Sequence, residues 1–380
     1  MNSELKIVDN YLNNYIQENN KQKSNIFLKL NEVEYYEENK SGTLCHFPGC
    51  GDVAIDSHTY PKSFLREIAS GNKVYATDIK HIVGNSYDVG VSDLVKDTHI
   101  KKSGVQPLFC KKHDTDIFKA IEVKNINTNL ETYLCLFLYR SYIYDYQLES
   151  EVHNPSVNRK INIGRPYSKK ISEEDATQYL FEQELSTKLI SENASFYNSD
   201  IIKNKFDDIF LEKKTPNYSD FCKYFELKYY DLEFLPDFFA SGSMFFSMDP
   251  QRLENPLQSI YAIIPDKSLQ TAYFCVLTPN ESVDSMKVVI ENLEKLYNKY
   301  DKREFNKLIE FLLLDASQNI IMTETLYNNL QINDTYLLLV KSCIALVMAR
   351  LPNCRYSSEL LRHYSYNLLK SINLISNDYQ

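Results

Sequence analysis

Apolar positions along this chain follow two different periods. Ile7, Val8, Leu12 and Ile16 recur at the spacing of a helix face, so 4–19 reads as an N-terminal helix packed on the rest. Residues 53–60 read as a strand and 61–70 as a short helix. Segments 73–83 and 87–91 read as two further strands, with Gly84-Asn85-Ser86 as the turn between them. Residues 110–123 place Ile117, Phe118 and Ile121 on one face of a helix. An aromatic helix follows at 132–148, through Tyr133, Phe137, Leu138, Ile143 and Tyr144. The stretch 154–170 holds Pro155, Gly164 and Pro166 and reads as a linker or long loop. Ser172, followed by Glu173, Glu174 and Asp175, opens a helix to about 191, with serine as N-cap and acids in the first turn. A further helix is expected at 200–213.

Beyond Tyr224 the period turns to two. Strands are expected at 225–234, 239–248, 259–264 and 270–277, with Pro265-Asp266-Lys267-Ser268 as the hairpin turn joining the last pair. Helices return from 282. The expected fold class is α+β: a metal-knuckle unit followed by a mainly helical region with a small antiparallel sheet. The expected division is an N-terminal arm at 1–41, the metal unit at 42–130, and a helical domain at 131–380 with inserted strands at about 224–277.

Composition narrows the class. A chain of 380 residues has room for two or three units and a large core. With 29 Tyr, no Trp and only 9 Gly, it is helix-rich and poor in turns. A net charge of −9 argues against wholesale coating of nucleic acid, while leaving room for a local basic surface. The most apolar stretch, 336–349, is too short to span a bilayer and contains Lys341, so it reads as a buried helix and no membrane is expected. The first forty residues carry no apolar run with a cleavage site. The 8 Cys are too few for a disulfide scaffold in a chain this long. Cys135, Cys222, Cys275 and Cys343 lie in apolar or aromatic surroundings and read as core. The expected location is a reducing cytoplasm.

The chemistry concentrates early. Cys45-His46-Phe47-Pro48-Gly49-Cys50 is answered some sixty residues later by Cys110-Lys111-Lys112-His113-Asp114, with Asp56-Ser57-His58-Thr59-Tyr60-Pro61 between them. Zn²⁺ favours thiolate and imidazole in a tetrahedron. Pro48-Gly49 supplies a turn that brings Cys45 and Cys50 together, and Cys110 and His113 are spaced for the first turn of a helix. A helix N-terminus also favours thiolate. The expected zinc ligands are therefore Cys45, Cys50, Cys110 and His113. His46 competes, but inside the knuckle its side chain is expected to point away. The alternative is a set of unrelated core cysteines and surface histidines.

This order of a Cys pair, then His-x-x-Pro, then Cys-x-x-His resembles the HNH, or ββα-metal, endonucleases. The resemblance spans about 42–125, with Ser57-His58, Pro61-Lys62-Ser63-Phe64-Leu65 and Phe109-Cys110-Lys111-Lys112-His113-Asp114 as its core. More closely, these residues resemble a group of bacterial proteins labelled HNH-like. It implies a treble-clef zinc unit, with His58 as the base that activates water and Asp114 as a ligand of a catalytic Mg²⁺ or Mn²⁺. Asn85, at the turn, is the candidate for the family's central asparagine. The resemblance departs at Ser57, where the family usually carries a metal-binding acid or histidine, a role Asp56 could take through a bulge or a water. The implied activity is hydrolysis of a DNA or RNA phosphodiester, which suits a bacterial defence effector by analogy.

Charge bears on this. Within 41–125 basic residues slightly outnumber acids, so the excess of negative charge lies elsewhere in the chain. Arg66, Lys101, Lys102, Lys111 and Lys112 are placed to contact phosphates, or else form an ordinary solvated surface. The basic run through Arg159, Lys160, Arg165, Lys169 and Lys170 reads as linker or nucleic-acid guide. Arg140, inside the aromatic helix, is expected to be paired or snorkelling. The competing reading is an inactive zinc-stabilised module that binds protein or nucleic acid, with the C-terminal region as a partner or homo-oligomer surface. In that reading His58 is structural.

Overall fold

The computed structural model describes residues 43–77, 95–123, 128–153, 199–246, 257–317 and 319–331. The expected elements at 4–19, 87–91, 154–170, 172–191 and 336–349, and the turn carrying Asn85, lie outside the described residues.

The metal unit begins with a knuckle. Cys50 N–H donates to Phe47 O at 3.1 Å, closing a β-turn across Pro48 and Gly49. Gly49 has φ +72°, the conformation that position requires in a type II turn and that a side chain disfavours. Strand β1 (Ile55–His58) follows, then helix α1 (Lys62–Ile68) and strands β2 (Lys73–Thr77), β3 (Val95–His99) and β4 (Val105–Phe109). β1 and β4 form a two-stranded antiparallel ladder, with a register shift between Ile55 and Asp56. Helix α2 (Lys111–Glu122) leaves β4 at once, with Ile117, Phe118 and Ile121 buried as the periodicity requires.

Helix α3 (Leu130–His153) is the spine. Its residues from Thr132 to Asp145 are all buried, as expected of a helix that is apolar on every side. It packs on α2 and β4 and on strands β6, β7 and β8, so it joins the metal unit to the large sheet. The remaining elements are α4 (Ser199–Glu212), α5 (Tyr218–Phe221), β5 (Phe225–Asp231), β6 (Phe238–Phe246), β7 (Leu257–Pro265), β8 (Ala272–Pro279), α6 (Val283–Lys299), α7 (Lys302–Ala316), β9 (Asn319–Met322) and α8 (Glu324–Gln331).

The sheet is not small. Seven antiparallel strands run in the order β3-β2-β9-β6-β7-β8-β5. The expectation of a small sheet is corrected by β9, which pairs with β2 on one side and β6 on the other. It thereby adds β2 and β3 to the four strands read from periodicity. The sheet is covered on both faces. On β8, Phe274 packs on Phe305 of α7, while its neighbour Cys275 lies beside Cys135 of α3, as alternation along a strand dictates.

One close approach is sharp enough to test. A Cβ at Gly242 in β6 would lie 2.6 Å from Tyr261 Oη and 3.2 Å from Asp145 Oδ2. Tyr261 is 1% exposed and its hydroxyl meets Ser317 Oγ at 2.8 Å, so it has little room to retreat. Gly242→Ala is expected to cost about 1–3 kcal/mol through overpacking, read as a lowered urea midpoint.

Candidate metal centre and the surroundings of His58

The four expected zinc ligands come together. Cys45 and Cys50 flank the knuckle turn. Cys110 occupies the N-cap of α2, and His113 stands in its first turn. His46 N–H donates to Leu108 O at 3.0 Å, which ties the knuckle to β4 directly ahead of Cys110. His113 Nδ1 lies 3.4 Å from Cys45 Sγ and 3.3 Å from Cys110 Sγ. Cys50 Sγ lies 4.0 Å from Cys110 Sγ, and all four ligand atoms fall within 4.8 Å of one another. A tetrahedral zinc with bonds of about 2.0–2.3 Å requires edges of about 3.5–3.8 Å, so the donors fit the ion in type, number and separation. Among the described residues this is the single group of three or more potential ligands so arranged.

The surroundings support that role. Phe47 stacks on the His113 ring with centroids 3.9 Å apart, fixing its orientation. Burial pushes the Cys45 thiol up to about 12, reinforced by the neighbouring Cys50 and Cys110 and opposed by backbone N–H groups. Without a cation Cys45 keeps its proton; a bound dication displaces it. His46 points away as expected, its Nε2 2.7 Å from Gln147 Oε1.

His58 closes β1 and is 7% exposed. Its Nε2 donates to Ile100 O at 3.0 Å. A carbonyl can only accept, so the proton resides on Nε2 and the neutral ring keeps its lone pair on Nδ1. Burial lowers its proton affinity; Lys62 and Arg140 lower it further, whereas the Ile100 carbonyl and Asp114 raise it. Ser57 is buried and donates its hydroxyl to Ile55 O at 3.2 Å. A bulge does occur beside Asp56, and Asp56 is exposed. Asp114 sits one residue past His113, with Oδ1 accepting from Arg140 Nη2 at 3.0 Å. The expected phosphate-contacting residues Arg66, Lys101, Lys102, Lys111 and Lys112 are all exposed. Asn85 lies outside the described residues.

Arg140 is the residue whose importance the sequence understated. It is buried and paired, and it bridges Asp114 and Glu122 at the two ends of α2. The available signal was a lone cation inside a run of apolar and aromatic residues.

The histidines carry a pH signature. Burial holds both His46 and His58 below the ordinary 6.5. The unfolded chain then binds more protons than the folded one, so their contribution is complete above about 6.5 and is lost as pH falls. His58→Gln keeps a donor for Ile100 O but does not titrate. It is expected to flatten the fall in urea midpoint below pH 6.5 relative to wild type.

Comparison of the chain with protein-family models, curated proteins and solved structures finds no match. The functional reading therefore rests on the residues themselves.

Proposed function

We propose that the chain cleaves nucleic-acid phosphodiesters at His58, beside a structural zinc held by Cys45, Cys50, Cys110 and His113 in an HNH-like, treble-clef arrangement. The observation that carries this reading is the state of His58. Its Nε2 proton is held by Ile100 O, so Nδ1 is left as a base in a ring kept neutral by burial. The zinc supplies stability: four protein ligands close its shell and leave no position for substrate. Exposed lysines next to Cys110 would hold the phosphate backbone, so binding should weaken steeply with salt. The test is cleavage of mixed DNA and RNA by wild type and His58→Ala, with and without Mg²⁺ or Mn²⁺. Loss of cleavage in the variant supports the reading; equal cleavage by both proteins sinks it.

A second reading has its own support. Asp114 and Ser57 are both engaged within the protein, as they would be in an inactive zinc-stabilised binding module. That reading expects His58→Ala to lose stability with no catalytic rate to lose.

A further inference from the structure

The three cysteines of the metal centre are not equally shielded. Cys45 and Cys110 are 6% and 4% exposed and belong to the core, whereas Cys50 is half-buried at its margin. Glycine stands on both sides of Cys50. Both glycines are exposed, and a Cβ built on either would meet nothing within 4 Å, so open space borders the chain around this cysteine. Cys50 Sγ lies 4.0 Å from Cys110 Sγ. Cys110 is the N-cap of α2, where the helix N-terminus favours a thiolate. Both are free thiols. Closing 4.0 Å to a sulfur–sulfur bond of about 2.05 Å falls to the knuckle, which the flanking glycines leave free to adjust. A thiolate within reach of solvent, beside a second thiolate, is the arrangement in which oxidation ends in a disulfide.

We propose that Cys50 and Cys110 are a peroxide-responsive thiol pair, and that their oxidation to a disulfide releases the zinc. The proposal rests on the reading of this cluster as a zinc site. With the dication bound, both sulfurs are thiolates. The Cys50 thiolate attacks one oxygen of hydrogen peroxide; a sulfur–oxygen bond forms, the oxygen–oxygen bond breaks, and hydroxide departs. Cys50 is now a sulfenic acid. The Cys110 thiolate attacks its sulfur, the disulfide forms, and a second hydroxide departs. The sulfur pair has lost two electrons, the peroxide has gained them, and the buffer neutralises the two hydroxides. Cys45 and His113 remain, too few donors for a structural site that needs four. The support of the two-stranded ladder that carries His58 goes with the metal, so oxidation at the knuckle would disable that site. A dithiol returns both thiols by exchange.

The test uses full-length protein purified under reductant, with zinc content measured first and the reductant then removed. Hydrogen peroxide is added beside a chromophoric zinc chelator, with a peroxide-free sample as reference. Free thiols are then alkylated and the cysteines mapped by peptide mass spectrometry. The expected result is loss of the bound zinc together with a Cys50–Cys110 disulfide, both reversed by dithiothreitol and zinc sulfate. Cys50→His keeps a zinc donor and removes the sulfur, and should hold its zinc through the same exposure. Cys222→Ser removes an exposed thiol outside the cluster and should release zinc as wild type does. Should Cys50→His fold poorly, the mapping in wild type still decides the matter. Zinc retained at a dose that oxidises Cys222 overturns the proposal and leaves the zinc reading standing. So does release with a Cys45–Cys50 disulfide, or with Cys50 as a sulfinic acid and no bridge. Protein that carries no zinc before peroxide is added overturns both.

Discussion

Cys110→Ser is expected to abolish zinc retention and to open residues 43–58 and 105–123 to amide exchange, while the strands of the seven-stranded sheet stay protected. The reason lies in what else holds this part of the chain. β1 and β4 make a ladder of only two strands, which is marginal in water by itself. Leu44, Val53 and Ile55 are exposed and lend the ladder little burial. A structural zinc supplies about 10–16 kcal/mol in small zinc-finger peptides at neutral pH, far more than such a ladder can replace. Serine offers no thiolate and leaves three donors around an open vertex. Elemental analysis together with hydrogen exchange resolved along the chain checks this. Zinc retained at one per chain with unchanged exchange would show that the metal is held elsewhere.

Phe118→Ala is expected to lower global stability by about 3–5 kcal/mol while zinc stays bound. Phe118 is fully buried on α2, with Phe109 at 5.0 Å, Tyr139 at 6.1 Å and the Arg140 guanidinium carbon at 4.5 Å from its ring centroid. It thus packs α2 on α3, the helix that also carries the sheet. The ligands Cys110 and His113 lie one turn or more away along α2, so the cavity leaves them in place. Urea unfolding followed alongside zinc content separates this loss from that in Cys110→Ser. Loss of zinc in parallel with stability would mean that α2 cannot hold its N-terminal turn without Phe118.

The contrast between these two variants reflects what the sequence could convey. The metal ligands were legible because they come in close pairs with a turn or a helix start built into each. Helix α2 was legible because its apolar residues keep one face. β4 was missed because Pro107 interrupts its pattern. β3 was missed because Val95-Lys96-Asp97-Thr98-His99 lies at the sheet edge and is largely polar. β9 is four buried residues between two helices, too short for periodicity to separate from a helical turn. With β9 unread, the joining of β2 to β6 could not be foreseen, nor the size of the sheet. At the site, the capture of Asp114 by Arg140 was not readable. Helical spacing shows which face a residue occupies, and it carries no information on which distant carboxylate meets it.

The position of β9 bears on the order in which this protein can assemble. Roughly 240 residues separate β2 from β9 in the chain, about 12–50 s of synthesis at typical elongation rates. All four residues of the candidate metal site have been made by residue 113, so the knuckle can close while β2 and β6 still wait for the strand that will lie between them. During that interval the facing edges of both strands are open to other chains. Sheet closure is the slow, non-local event of folding, and nascent chains stalled before residue 319 are the species most exposed to aggregation.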